Sequence, residues 1–131
     1  MLKTKCIFSP IEESDGIRIS VMPRHTLNDE ITLNPKINPH SYNFWLPSLA
    51  PPLKLIGSYY RRDLPWEEYE TKYLEYLRQI QISINVKNLA RISLKSDVSL
   101  LCIENTPEHC HRRLLAEECK KYENSLILKI A

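Results

Sequence analysis

The chain has 131 residues, 26% of them charged and 43% hydrophobic, and a formal net charge of +2. That is the composition of one ordinary globular domain, long enough to bury roughly two-thirds of its unfolded surface. The near-balance of charge does not announce a nucleic-acid binder, and no stretch approaches membrane-spanning length. With Gly16 and Gly57 as the only glycines, neither a GxGxxG loop nor a Walker loop can form, which excludes dinucleotide dehydrogenases and P-loop NTPases.

The segment MLKTKCIFSP has no apolar run of signal-peptide length. Cys6, Cys102, Cys110 and Cys119 fit neither a CxxC pattern nor a disulfide framework. Free thiols in a reducing, cytoplasmic setting are therefore expected. Leu2 to Phe8 alternates and stops at Pro10, which predicts a strand. After the turn at residues 12–16, a second strand is predicted from Ile17 to Met22. Its apolar Ile17, Ile19 and Val21 share one face, with Arg18 and Ser20 on the other. Pro23 ends it and Arg24 and His25 follow. Residues 26–42 are rich in Asn and Pro and read as a long loop.

Residues 44–47 and 50–52 read as a rigid connection into a short helix, Leu53 to Tyr60. Pro65 then opens the clearest helix, in which Trp66, Tyr69, Tyr73, Tyr76, Leu77 and Ile80 recur at helical spacing. That aromatic stripe continues the apolar face, so it is expected to be core rather than a base-stacking platform. Residues 82–93 fit a short helix, although their β-branched content argues against one.

The stretch from Asp97 to Cys119 organises the rest. Val98 to Ile103 is a short apolar run of the kind a buried strand shows. Thr106 offers an N-cap hydroxyl and Pro107 suits the first helical position. His109, Cys110, His111, Arg112 and Arg113 would then fill the first two turns of a helix. Residues 125–130 read as a closing strand. The elements predict an α/β fold: one three-layer-like domain, residues 1–131, with a small, mainly parallel sheet flanked by helices. Its C-terminal strand-helix-strand unit carries the Cys-His-Arg motif.

Open α/β sheets place ligand crevices at the C-terminal ends of their strands, which here means Cys102 to Arg112. His111, one turn before Leu115, is expected to be buried against the sheet edge, with Cys110 beside it and the arginines on the rim. Cys110 near a positive helix end is the candidate nucleophile with His111 as its catalytic neighbour, and Glu104 is a group to orient His111 or take a proton. Arg112, with Arg24 or Arg18, would hold an anion. The structural alternative is that His111 is a core histidine bonded to a backbone carbonyl, Cys102 and Cys110 are small buried hydrophobes, and Glu104 simply pairs with an arginine. A metal site from Cys102, His109, Cys110 and His111 is disfavoured, because neighbours on one helix seldom converge on an ion and the usual spacings are absent. No metal or cofactor is expected. The expected partner is an anionic small molecule or nucleotide, without a membrane. A nucleic-acid-binding module using Arg61, Arg62 and the motif is the second reading.

The run LLCIENTPEHCHRRLLAEE followed by LILKI resembles the motif of the domain of unknown function 488 family: Cys-x-Glu at a strand end, a turn, then Cys-His-Arg before a helix. Here these are Cys102, Glu104, Cys110, His111 and Arg112. Asp15-Gly16-x-Arg18, Pro23-Arg24, Trp45, Ala50-Pro51 and the Trp66–Tyr69–Tyr73 helix resemble one branch of that family. The branch's Trp before Pro-Arg and Gly after it are Met22 and His25 here. The resemblance covers most of the chain and implies its architecture.

Overall fold

A strand covered on both faces reads as an unbroken apolar run, and Val98–Cys102 (β4) is one: all five of its residues are buried. The computed structural model covers all 131 residues. β4 is the central strand of a five-stranded sheet in the order β3-β2-β4-β1-β5. The other strands, in chain order, are Leu2–Cys6 (β1), Ile17–Ser20 (β2), Phe44–Trp45 (β3) and Leu128–Lys129 (β5). Every ladder is parallel. Cys6 of β1 stands beside Cys102, and Ser20 of β2 beside Leu101, so the strands end together at the expected crevice edge.

The register puts Leu2, Val98, Leu100, Ile19 and Val21 on one face. That face packs against Tyr73 and Leu77 of α2 (Trp66–Leu77), Val86, Leu89 and Ala90 of α3 (Ile80–Lys95), and Leu114 and Leu115 of α4 (His111–Tyr122). Fully burying one such leucine stabilises the fold by about 1.5–3 kcal/mol. The short helix α1 (Leu53–Tyr60) buries no residue completely. The stripe starting at Trp66 ends at Leu77: Gln79 is extended and starts α3, and Ile80 is 82% exposed. α3 settles the ambiguous stretch as a helix, since tertiary packing of Val86, Leu89 and Ala90 outweighs weak β-branched propensity.

The other face is covered by loop rather than by helix. Ser99 Oγ donates to the Asp15 carbonyl at 2.8 Å, and Arg18 Nε donates to the Ser41 carbonyl at 2.9 Å. Ile37 and Tyr42 pack on Ile7, Met22, Leu101, Cys102 and Cys110. The 26–42 loop is thus the third layer. Phe44 and Trp45, read as a connection, add an edge strand beside Ile19 and Ser20; two residues are too few to show a period. No helix is long and apolar enough to cross a membrane.

Candidate functional site

Helix α4 begins at His111, later than Thr106 and Pro107 suggested. Residues 105–109 bend and turn, the Cys110 amide donates to the Pro107 carbonyl at 3.2 Å, and Cys110 itself is extended (φ −131°, ψ 138°) as the N-cap. His109 and Cys110 therefore lie outside the helix and are free of its 100° rotation. His109 stacks on Trp66, ring centres 4.7 Å apart. Cys110 turns inward towards Cys102, the last residue of β4.

His111 is buried, as expected. Its Nε2 lies 2.7 Å from the Val21 carbonyl oxygen. A carbonyl only accepts, so Nε2 carries a proton, and in the neutral ring Nδ1 holds the lone pair. Glu104 does not orient this ring; its Oε1 accepts from the Tyr60 hydroxyl at 2.8 Å instead. Cys102 Sγ is 3.9 Å from Nδ1 and 3.8 Å from Nε2 of His111.

Arg112 was expected on the rim and is wholly buried. Its Nη1 donates to the Glu104 carbonyl at 2.7 Å and contacts Cys110 Sγ at 3.3 Å, while Nε and Nη2 donate to the Ala131 oxygen at 3.2 and 3.1 Å. With α4 starting at His111, the second helical residue points at the chain leaving β4 and at the segment after β5, whose carbonyls need donors. Arg24 pairs with Glu30 at 3.1 Å. Arg18 is buried under the loop, its Nη1 2.6 Å from Asp15 and its Nη2 unpartnered. No partner is common to any two of these arginines. Arg18 instead lines a hollow of about 420 Å³ with Lys36 and Ser41.

The thiol pair also reverses an expectation. Cys102 is held below the ordinary thiol range, first because Cys110 donates its S–H to it; burial opposes this, and the amides of Ile103 and Glu104 and the charge of Arg112 assist. Cys110 is pushed well up, by that donated bond first, then by burial and by the Cys102 charge. The two shifts run in opposite directions, favouring charge on Cys102 with Cys110 as the donor.

Beyond the end of β4 opens a cleft of about 610 Å³, lined among others by Tyr59, Tyr60, Arg62, Trp66, Glu104 and His109. Tyr59, Trp66 and Tyr69 form a mutual aromatic cluster with centroids 4.5–5.7 Å apart. Tyr69 and Tyr73 are buried, as a core stripe should be, while Trp66 also faces the cleft. Partial desolvation within the cleft, the bond to Glu104 and its charge raise the Tyr60 pKa, so the phenol remains a donor. Tyr59, Tyr60 and His109 were not singled out as cleft residues by the sequence. The only signal was the Tyr-Tyr-Arg-Arg run shortly before Pro65-Trp66.

No curated protein and no solved structure matches the chain. A family model does: the one described as the active DUF488-N3 subclade, DUF488-N3a, matches residues 2–123. That span holds the four strands β1 to β4 and the whole Cys-His-Arg segment, and the chain therefore belongs to the domain of unknown function 488 family.

Proposed function

We propose that the protein binds or processes a nucleotide, or a related phosphorylated small molecule, in the cleft beyond β4. One observation carries the reading: Tyr59, Tyr60 and Trp66 share this cleft with the carboxylate of Glu104 and the basic groups of His109 and Arg62. A base offers flat faces for stacking. Glu104 can accept a hydrogen bond from an amine or hydroxyl, and Arg62 with His109 complements a phosphate. Glu104 lines the cleft directly, whereas Cys110 and His111 stand behind it. The word "active" in the description of the matched subclade favours a catalytic step here too. Four free, buried cysteines suit a cytoplasmic setting.

A nucleic-acid strand would use the same aromatic wall, but Arg61 is held by Asp63 at 3.2 Å and Arg112 is buried. That reading has less cation to work with. Calorimetric titration with a nucleoside monophosphate, the nucleoside, inorganic phosphate and an oligonucleotide tests both. Saturable binding of the monophosphate is expected, weakened by about 1–3 kcal/mol in Trp66→Ala. Unchanged affinity in that variant would refute the cleft. Oligonucleotide binding with a steep salt dependence would favour the second reading instead.

A further inference from the structure

We propose that Cys102, Cys110 and His111 form a three-ligand site for a borderline-soft divalent metal ion, zinc fitting best, with the fourth position left to water or a substrate atom. Their ligand atoms all lie within 4.8 Å of one another. In a tetrahedral zinc site, bonds of about 2.3 Å to sulfur and 2.05 Å to nitrogen hold the donors about 3.6–3.8 Å apart. Cys102 Sγ is equally near both ring nitrogens of His111, 3.9 Å from Nδ1 and 3.8 Å from Nε2. Closing the cluster therefore asks for shifts of about 1 Å and a ring adjustment small enough to keep Nε2 on the Val21 carbonyl.

Two further features point the same way. His111 gives its Nε2 proton to the Val21 carbonyl at 2.7 Å, which leaves Nδ1 as the free donor; ligating histidines are usually braced by a carbonyl in this manner. Arg112 Nη1 lies 3.3 Å from Cys110 Sγ and is fully buried, so it can donate to a metal-bound thiolate and balance its charge. Two thiolates and an imidazole, without a carboxylate, select zinc over magnesium or calcium. Two thiolates also neutralise a divalent ion, which a dry pocket requires: the three ligands are 2–5% exposed. Linear spacing concealed the set because Cys110 is an extended cap and not a helical neighbour of His111.

The test uses the reduced, full-length chain loaded with zinc alone or cobalt alone, without nucleotide, and then desalted. About one equivalent should be retained with release of protons, and the cobalt form should show thiolate-to-metal charge transfer with the strong visible bands of a tetrahedral site. Cys102→Ser and Cys110→Ser should lose the ion, and Cys6→Ser should keep it. No retained metal in the wild type, a cobalt spectrum without charge transfer, or full retention by a folded Cys102→Ser variant would overturn the site. If the serine variants do not fold, the wild-type cobalt spectrum decides by itself. None of these readouts depends on whether the cleft takes a nucleotide.

Discussion

An Arg112→Ala substitution removes a wholly buried cation together with all of its bonds to the chain. The carbonyl of Glu104 and the oxygen of Ala131 lose the donors now at 2.7, 3.1 and 3.2 Å. An unsatisfied buried acceptor costs about 1–3 kcal/mol, and both sites are only partly buried, so the lower half of that range applies to each. The space left by the stem and guanidinium adds a cavity cost, bringing the expected loss to about 3–5 kcal/mol. At about 2.1 cal/mol/K per residue, the unfolding entropy of this chain is about 0.28 kcal/mol/K. Tm should therefore fall by about 11–18 °C. Arg112→Lys, which keeps the charge and loses the fork, should recover less than half of it. Calorimetry and urea melts on the ligand-free protein measure this directly. A Tm within about 3 °C of wild type would mean that Arg112 is a rim group after all.

Three further outcomes are expected. Asp15 is buried between Lys5 at 2.8 Å and Arg18 at 2.6 Å; burial raises its pKa, but the Glu12 amide, Lys5 and Arg18 together bring it below the ordinary value. Its contribution is thus present above an unfolded pKa of about 3.9 and lost as pH falls through the lower folded value. Urea melts from neutral pH into that acid range should bring the curves of wild type and Asp15→Asn closer together, the variant being about 3–5 kcal/mol less stable at neutral pH; parallel curves would contradict the pairing. Gly16 has φ +64°, and an added Cβ would meet the Asp97 carbonyl, so Gly16→Ala should lose more than the roughly 1–2 kcal/mol of left-handed strain alone; a neutral result by thermal melt would count against that turn. In metal-free native protein, iodoacetamide should reach Cys102 before Cys110, both about tenfold or more slower than in the unfolded chain; mass mapping that finds Cys110 modified first would reverse the assignment of charge.

Much of the architecture was legible along the chain. The apolar run at 98–103, the alternation at 17–21 and the Trp66–Tyr69–Tyr73 spacing each record how one element meets the core, and a parallel α/β sheet follows from their order. The crevice end of β4 was legible too, because strand direction alone places it. The burial of His111 followed from its place one turn before Leu115.

What the sequence by itself determined, then, is the set of elements, the fold class and the end of the sheet beyond which the cleft opens, since these depend on periodicity and connection order. Only the tertiary structure decided the fate of individual polar groups. Helix α4 begins at His111, and that later start sends Arg112 inward to the carbonyls of Glu104 and Ala131. It also turns Cys110 towards Cys102 and frees His109 to stack on Trp66. Glu104 found Tyr60, a residue 44 positions away, and the 26–42 loop became a layer over Leu101 and Cys102. Such pairings depend on which main-chain donors and acceptors are left unmet once the sheet closes, and that remainder is a property of the packed chain, with no periodic trace in its residues.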